Sequence, residues 1–190
     1  TSLVANRVIE LLYEAGMPRN VVQLLPGDGP TVGSVLSSDP RITGVVFTGS
    51  TDTAQIINRA LAARENAALP TLIAETGGMN AMIVDSTALP EQVVADVVHS
   101  AFQSAGQRCS ALRVLYLQED IADRVIEILR GAMAELRIGD PCDLGTDVGP
   151  VIDEDARQGL LKHAETMKAE GRLIAEAKLD PAQTDNGTFV

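Results

Sequence analysis

One thiol and one carboxylate stand out among glycines. Cys109 lies in the run Ser104-Ala105-Gly106-Gln107-Arg108-Cys109-Ser110-Ala111, and Glu75 lies upstream in Ala74-Glu75-Thr76-Gly77-Gly78-Met79-Asn80. A cysteine thiolate attacks carbonyl carbon and holds the product as a thioester, while a carboxylate takes a proton from the water that cleaves it. These are the parts needed to oxidise an aldehyde through a covalent intermediate. Arg108 and nearby backbone N–H groups would favour the thiolate form of Cys109. Glu75 ends the apolar run Leu72-Ile73-Ala74, where partial desolvation would raise its pKa toward the range useful to a base. Each residue also has a plainer reading: a lone cysteine as a small buried apolar group, a strand-end glutamate as a solvated or capping one. Cys142, between Pro141 and Asp143, has no activating neighbour and reads as structural.

A third feature precedes both. Phe47-Thr48-Gly49-Ser50 closes an apolar strand and opens a helix, so free N–H groups and a hydroxyl gather at a helix N-terminus, an arrangement suited to a pyrophosphate. It does not match G-x-G-x-x-G, and an ordinary N-capped helix after a strand is the alternative.

These residues need elements to hold them. Val4, Val8, Leu11, Leu12 and Ala15 form the stripe of a core-facing helix, ended by Gly16 and Pro18. Val21-Val22-Gln23-Leu24-Leu25 reads as a buried strand, and Gly27-Asp28-Gly29-Pro30-Thr31 as a turn into a short helix with Val32 and Leu36. A strand at 44–47, a helix at 51–64 and a strand at 71–74 follow, and this alternation implies βαβ units on a parallel sheet. Beyond Gly78, strands are expected at 81–84 and 113–117. Between them a helix opens at Pro90-Glu91, carries Val93, Val94, Val97, Val98 and Ala101, and runs to Gly106. A long amphipathic helix follows with Ile121, Val125, Ile128, Leu129, Ala132 and Leu136. After an irregular stretch at 139–151, Asp153 reads as the N-cap of a last helix with Ala156, Leu160, Ala164 and Met167 inward. A domain boundary is expected at the paired glycines, giving 1–77 and 78–190.

The bulk numbers narrow the function classes. A 190-residue chain that is 45% hydrophobic can fill one domain core or parts of two. A net charge of -11 and no clustered Lys or Arg argue against a nucleic-acid partner. Two cysteines are too few for a disulfide framework and suggest a reducing, cytoplasmic setting; no apolar run reaches membrane-span length. No metal site is expected. The chain opens on Thr1-Ser2 directly before a core-facing helix and stops at Thr188-Phe189-Val190 as an apolar strand begins, so a fragment of a longer protein is expected.

Phe47-Thr48-Gly49-Ser50, Glu75-Thr76-Gly77-Gly78, Gly106-Gln107-Arg108-Cys109 and Gly149-Pro150-Val151-Ile152, in that order and at matching gaps, resemble the successive signatures of the aldehyde dehydrogenase superfamily. Asn80 and the context Arg108-Cys109-Ser110-Ala111 most resemble its 1-pyrroline-5-carboxylate dehydrogenase branch, as found in bifunctional proline utilization A proteins. The resemblance implies an α/β fold, with 1–77 the later part of a Rossmann-like NAD-binding domain and 78–190 the start of an α/β catalytic domain. It implies Cys109 as nucleophile and Glu75 as base, Phe47, Thr48, Gly49, Ser50 and Gly77 against the cofactor, and Arg108 and Ser110 toward the substrate. The cofactor would be NAD, with NADP left open, and the substrate L-glutamate γ-semialdehyde, oxidised to glutamate in proline catabolism. Ala54 and Met79 replace a glycine and a lysine of many relatives, as in the proline-pathway branch. The implied partners are the rest of the same polypeptide, including a flavin-dependent proline dehydrogenase domain, and further copies in a homo-oligomer. The rest of the oxyanion hole and the ribose-binding residues would lie outside these residues, so the segment by itself is expected to be inactive. Two other readings stand beside this one: a different semialdehyde dehydrogenase, and a non-catalytic truncated module. A thiol acyl-transferase would need a partner base, and His99 and His163 are poorly placed on their helices for that role.

Overall fold

The computed structural model describes residues 2–65 and 68–190; Thr1, where the sequence opens, lies outside them. The chain divides into two compact units, Thr1–Thr76 and Gly77–Val190.

In the first unit, helix α1 (Ser2–Glu14) ends through Gly16, whose φ of 96° is the left-handed conformation that glycine takes without steric penalty. The expected stripe forms on a helix but buries nothing: Val4, Val8 and Leu11 are all exposed. Tyr13 holds the chain that follows, donating its hydroxyl to Val22 O at 2.6 Å. Residues 21–25 do not form the expected strand. A strand persists only where a neighbour satisfies its ladder groups, and the strand pair among the described residues of this unit is made by other residues. After a π turn (Gly29–Gly33), capped by the Asp28 carboxylate, comes the short helix α2 (Ser34–Ser38). Arg64 reaches back to this region, donating to Ser37 O and Ile42 O. Strand β1 (Gly44–Gly49), helix α3 (Thr51–Ala62) and strand β2 (Thr71–Thr76) make a βαβ unit, with β1 and β2 parallel. Alternate side chains take opposite faces. Val45, Phe47 and Leu72 are half-buried, whereas Val46 (79% exposed) and its register partner Ile73 (51%) stand on a bare face.

The second unit repeats the plan with a closed core. Strand β3 (Asn80–Val84) and strand β4 (Leu112–Leu117) are parallel, joined by helix α4 (Pro90–Phe102) and followed by helix α5 (Glu119–Ala134). Val93, Val94 and Val97 of α4 meet Ile121 and Val125 of α5 over Val84 and Leu112, and Val125 is completely enclosed. Each such burial contributes about 1.5–3 kcal/mol. The register slips between Asn80 and Ala81, so Asn80 faces Leu112 while Ala81 faces Val114 and Arg113 is left over as a bulge.

Helix α4 stops at Phe102, short of the expected Gly106. There follows a tight turn (Gln103–Gly106) in which Ser104, Ala105 and Gly106 all have positive φ, at 57°, 53° and 66°. The turn reverses the chain toward β4 at a backbone cost of about 1–2 kcal/mol for each non-glycine residue.

Residues 139–151 are irregular as expected, and Asp153 caps helix α6 (Glu154–Ala169) by accepting from Ala156 N at 2.9 Å. Ala156, Ala164 and Met167 of α6 are half-buried, but Leu160 is exposed, since the helix has cover along only part of its stripe. A one-turn helix α7 (Pro181–Thr184), capped by Asp180, has no apolar periodicity to announce it. No strand forms at 188–190. Phe189 instead buries its ring, and Thr188 O accepts from Val151 N at 3.0 Å.

Candidate active site

The candidate residues fall into two groups, each built at the carboxyl end of a parallel strand or in the loop leading to one. In open α/β sheets ligands gather at carboxyl ends, where the first group lies; the thiol turn of the second lies at the amino ends of β3 and β4.

In the first unit, β1 delivers Phe47, Thr48 and Gly49 to the N-terminus of α3. Ser50 is the N-cap; its Oγ accepts from Thr53 N at 3.1 Å, and its hydroxyl meets Thr53 Oγ1 at 2.8 Å. The Phe47 ring folds against Gly49, where a Cβ would lie 2.5 Å from Cζ, so the turn is built around the missing side chain. Register places Glu75 beside Thr48 and Thr76 beside Gly49. The backbone at Glu75 therefore lies one strand, about 4.8 Å in the ladder direction, from the strand end that opens the anion-type turn. Glu75 is exposed, so the partial burial expected for it is absent: the bare face of a two-stranded sheet has nothing to desolvate it. Ala54 is buried in α3, and Met79 is exposed.

An exposed helix N-terminus bearing a serine and a side-chain-free residue fits a dinucleotide pyrophosphate. Asp52, a carboxylate in the same first turn, steadies the helix and works against a bound anion.

In the second unit, Ala111 N–H donates to Arg108 O at 3.1 Å, closing a four-residue turn whose two central residues are Cys109 and Ser110. Both are exposed. Four side chains fasten the loop. Asn80 Nδ2 donates to Cys109 O at 2.7 Å and to Ala111 O at 2.9 Å. The bulge residue Arg113 donates to Gly106 O at 2.7 Å and approaches Arg108 O at 3.5 Å. Arg108 turns its guanidinium onto the last turn of α4, at His99 O (3.2 Å) and Ser100 O (3.3 Å), and its Nε is buried without an acceptor among the described residues. The cation beside the thiol in sequence thus stabilises a helix C-terminus in space. Gln107 spans to the downstream motif: its Oε1 accepts from Ile152 N at 2.8 Å, and its Nε2 lies 3.4 Å from Pro150 O. That contact explains why Gly149-Pro150-Val151-Ile152 belongs with the thiol run. Gly106 must be glycine, since a Cβ there would lie 2.7 Å from Ala101 O.

Among the described residues, the Cys109 N–H has no intramolecular acceptor, which is the condition for donating to an oxyanion. Gly77 opens the second unit in an exposed loop. Cys142 is exposed, with its N–H donating to Asp140 Oδ1 at 2.8 Å. A surface depression of about 840 Å³ around the Glu91–Arg124 ion pair between α4 and α5 is lined by none of the candidate residues. Sequence reasoning passed over Asn80, Gln107 and Arg113 as positioning groups. None is a nucleophile or base; the only available signal was their position flanking the thiol run and opening the strand beside it.

The model of the aldehyde dehydrogenase family matches residues 1–190, and the chain belongs to that family. It is 56% identical to the bifunctional protein PutA of Salmonella typhimurium, covering all of this chain and 15% of that protein. It is 37% identical to the 1-pyrroline-5-carboxylate dehydrogenase of Geobacillus kaustophilus, covering 96% of this chain and 36% of that one. The chain thus spans a minor part of the length of either relative. A crystal structure of a Bradyrhizobium japonicum proline utilization A variant superposes with a TM-score of 0.93 at 54% identity, over all of this chain and 19% of that one. Betaine aldehyde dehydrogenase of Staphylococcus aureus, solved in complex with NAD+, gives 0.88 at 29% identity, over all of this chain and 38% of that one. Among the described residues no helix is long and apolar enough to cross a membrane.

Proposed function

We propose that the segment is the catalytic heart of an NAD-dependent dehydrogenase that oxidises L-glutamate γ-semialdehyde, the open form of 1-pyrroline-5-carboxylate, to glutamate. The observation that carries the reading is the thiol turn: Cys109 is exposed at its centre, the carbonyls at Gly106, Cys109 and Ala111 are tied back, and the Cys109 N–H is left over. The names of the relatives support the substrate, and a parent chain carrying a proline-oxidising domain fits the bifunctional relatives.

Cys109 Sγ, as thiolate, adds to the aldehyde carbon, and the carbonyl oxygen becomes an oxyanion facing the Cys109 N–H. Collapse of that oxyanion re-forms the C=O and expels hydride, leaving an acyl group on sulfur. When bound along Phe47, Thr48, Gly49, Ser50 and Gly77, the nicotinamide dinucleotide supplies the hydride acceptor. Glu75 takes a proton from water, the water oxygen adds to the acyl carbon, and the C–S bond breaks to return the Cys109 thiolate and release the acid. Ser110, exposed beside Cys109, borders the substrate, while Arg108, expected toward the substrate, has its guanidinium on His99 O and Ser100 O and supports the turn. The segment without the rest of its polypeptide is inactive in this reading, because the family's other site residues lie elsewhere.

In the full-length enzyme, Cys109→Ala lowers NADH formation on the order of 10³-fold or more. Glu75→Ala gives about one NADH per site in a burst and then stalls, because the thioester forms but water is not activated. Steady turnover by Cys109→Ala would overturn the proposal, and faster oxidation of succinate semialdehyde than of glutamate γ-semialdehyde would overturn the substrate.

A further inference from the structure

We propose that Asn80 is the positioning residue of the nucleophile turn, one side-chain nitrogen that sets the direction of the backbone N–H groups around Cys109. The inference rests on the role of Cys109 given above and adds to it a residue with no chemistry of its own. Asn80 Nδ2 carries two hydrogens, and two carbonyls converge on it, Cys109 O at 2.7 Å and Ala111 O at 2.9 Å. A trans peptide is planar, with its C=O and N–H antiparallel. Pinning Cys109 O onto Asn80 therefore turns the Ser110 N–H away from Asn80. The closing bond of the turn, from Ala111 N to Arg108 O, fixes the preceding peptide, whose Cys109 N–H has no acceptor among the described residues.

The fold explains why the job falls to residue 80. Asn80 is the first residue of β3, paired with Leu112, and the register slip beside it opens the ladder where the turn arrives. A side-chain amide there replaces the ladder bonds that the bulge at Arg113 removes. The turn is approached through the left-handed residues Ser104, Ala105 and Gly106, so its conformation needs an outside restraint.

The test uses the full-length dehydrogenase. Asn80→Asp keeps the size and removes the donor, leaving a carboxylate facing two carbonyls. Asn80→Ser keeps one donor. For Asn80→Asp, kcat falls on the order of 10- to 100-fold, since displacement of a reacting group by about 1 Å has effects of this size. The NAD dissociation constant stays within about twofold, because the residues assigned to the dinucleotide other than Gly77 lie on β1 and the start of α3. Alkylation of Cys109 by iodoacetamide changes its pH profile, with Cys142 in the same molecule unchanged as the reference. Asn80→Ser recovers part of both effects. Parental kcat and a parental Cys109 profile in Asn80→Asp would overturn the proposal. So would equal losses in both variants accompanied by a lowered Tm and weakened NAD binding, the mark of a merely structural residue. Alkylation reads thiol placement without turnover, so a shifted profile in Asn80→Asp sustains the inference even if Cys109→Ala still turns over and the catalytic reading fails.

Discussion

Both units lay two parallel strands beside the helix that joins them, yet the second encloses seven apolar residues in one cluster while the first, among its described residues, buries only Ala54, Leu61 and Ser37. The difference is cover. Each sheet leaves one face exposed, at Val46 and Ile73 in the first unit and at Ile83 and Tyr116 in the second, but the second closes two helices, α4 and α5, over its other face, whereas the first has α3 alone. The first unit therefore holds its geometry through local devices such as caps, the Arg64 clamp and a glycine turn, and the second through its core.

Substitutions inside and outside the closed core break this contrast most sharply. Val125→Ala removes two buried methyl groups and leaves a cavity, for a loss of about 2–3 kcal/mol, whereas Val46→Ala changes stability by about 0.5 kcal/mol or less. Amide hydrogen exchange resolves the two units separately, and equal losses of protection would erase the distinction. Next come the two constrained glycines. Gly106→Ala meets a backbone carbonyl and a positive φ and costs about 2 kcal/mol or more. Gly49→Ala meets only the Phe47 ring, which can swing away, so thermal unfolding should register about 1 kcal/mol or less. A smaller effect is expected from the caps: Ser50→Ala and Asp153→Ala each remove one helix N-cap, worth about 1 kcal/mol, and only Ser50→Ala should also weaken NAD binding in titrations of the full-length enzyme.

Acid gives the smallest effect. The Arg41 guanidinium, hydrogen-bonded to Asp39, holds that carboxyl well below the usual carboxylate range, and Thr31 lowers Asp28 through hydrogen bonds. A carboxyl depressed in the folded state adds stability above its unfolded pKa of about 3.9 and loses it as pH falls through the folded value. Exchange protection near α2 should therefore decline only below about pH 4, and modestly, because Asp28 and the Arg41 partner of Asp39 are exposed.

The βαβ alternation, the stripes of α4 and α5 and the Asp153 cap were legible because each is a local pattern; the stripe of α1 formed on a helix but stays exposed. The strand read at residues 21–25 was not, because its apolar pattern says nothing of whether a neighbour will satisfy its backbone. The left-handed turn at Ser104 and Ala105 escaped for the opposite reason: neither residue type favours positive φ, and the turn is imposed by the reversal between α4 and β4. For the site, the candidate thiol and carboxylate announce themselves by type. The amide of Asn80 and the bulge at Arg113 act through backbone carbonyls, and no residue type marks a carbonyl as an anchor point.

The bare strand faces carry a consequence for the behaviour of this segment in solution. Val46 and Ile73 on one sheet, and the paired Ile83 and Tyr116 on the other, are adhesive surfaces on a body whose net charge is -11. Mutual repulsion among like-charged copies holds those surfaces apart over a Debye length of about 30 Å at 0.01 M ionic strength, a range that shrinks to about 3 Å at 1 M. Dilute buffer and concentrated brine thus present two different colloids made of one polypeptide.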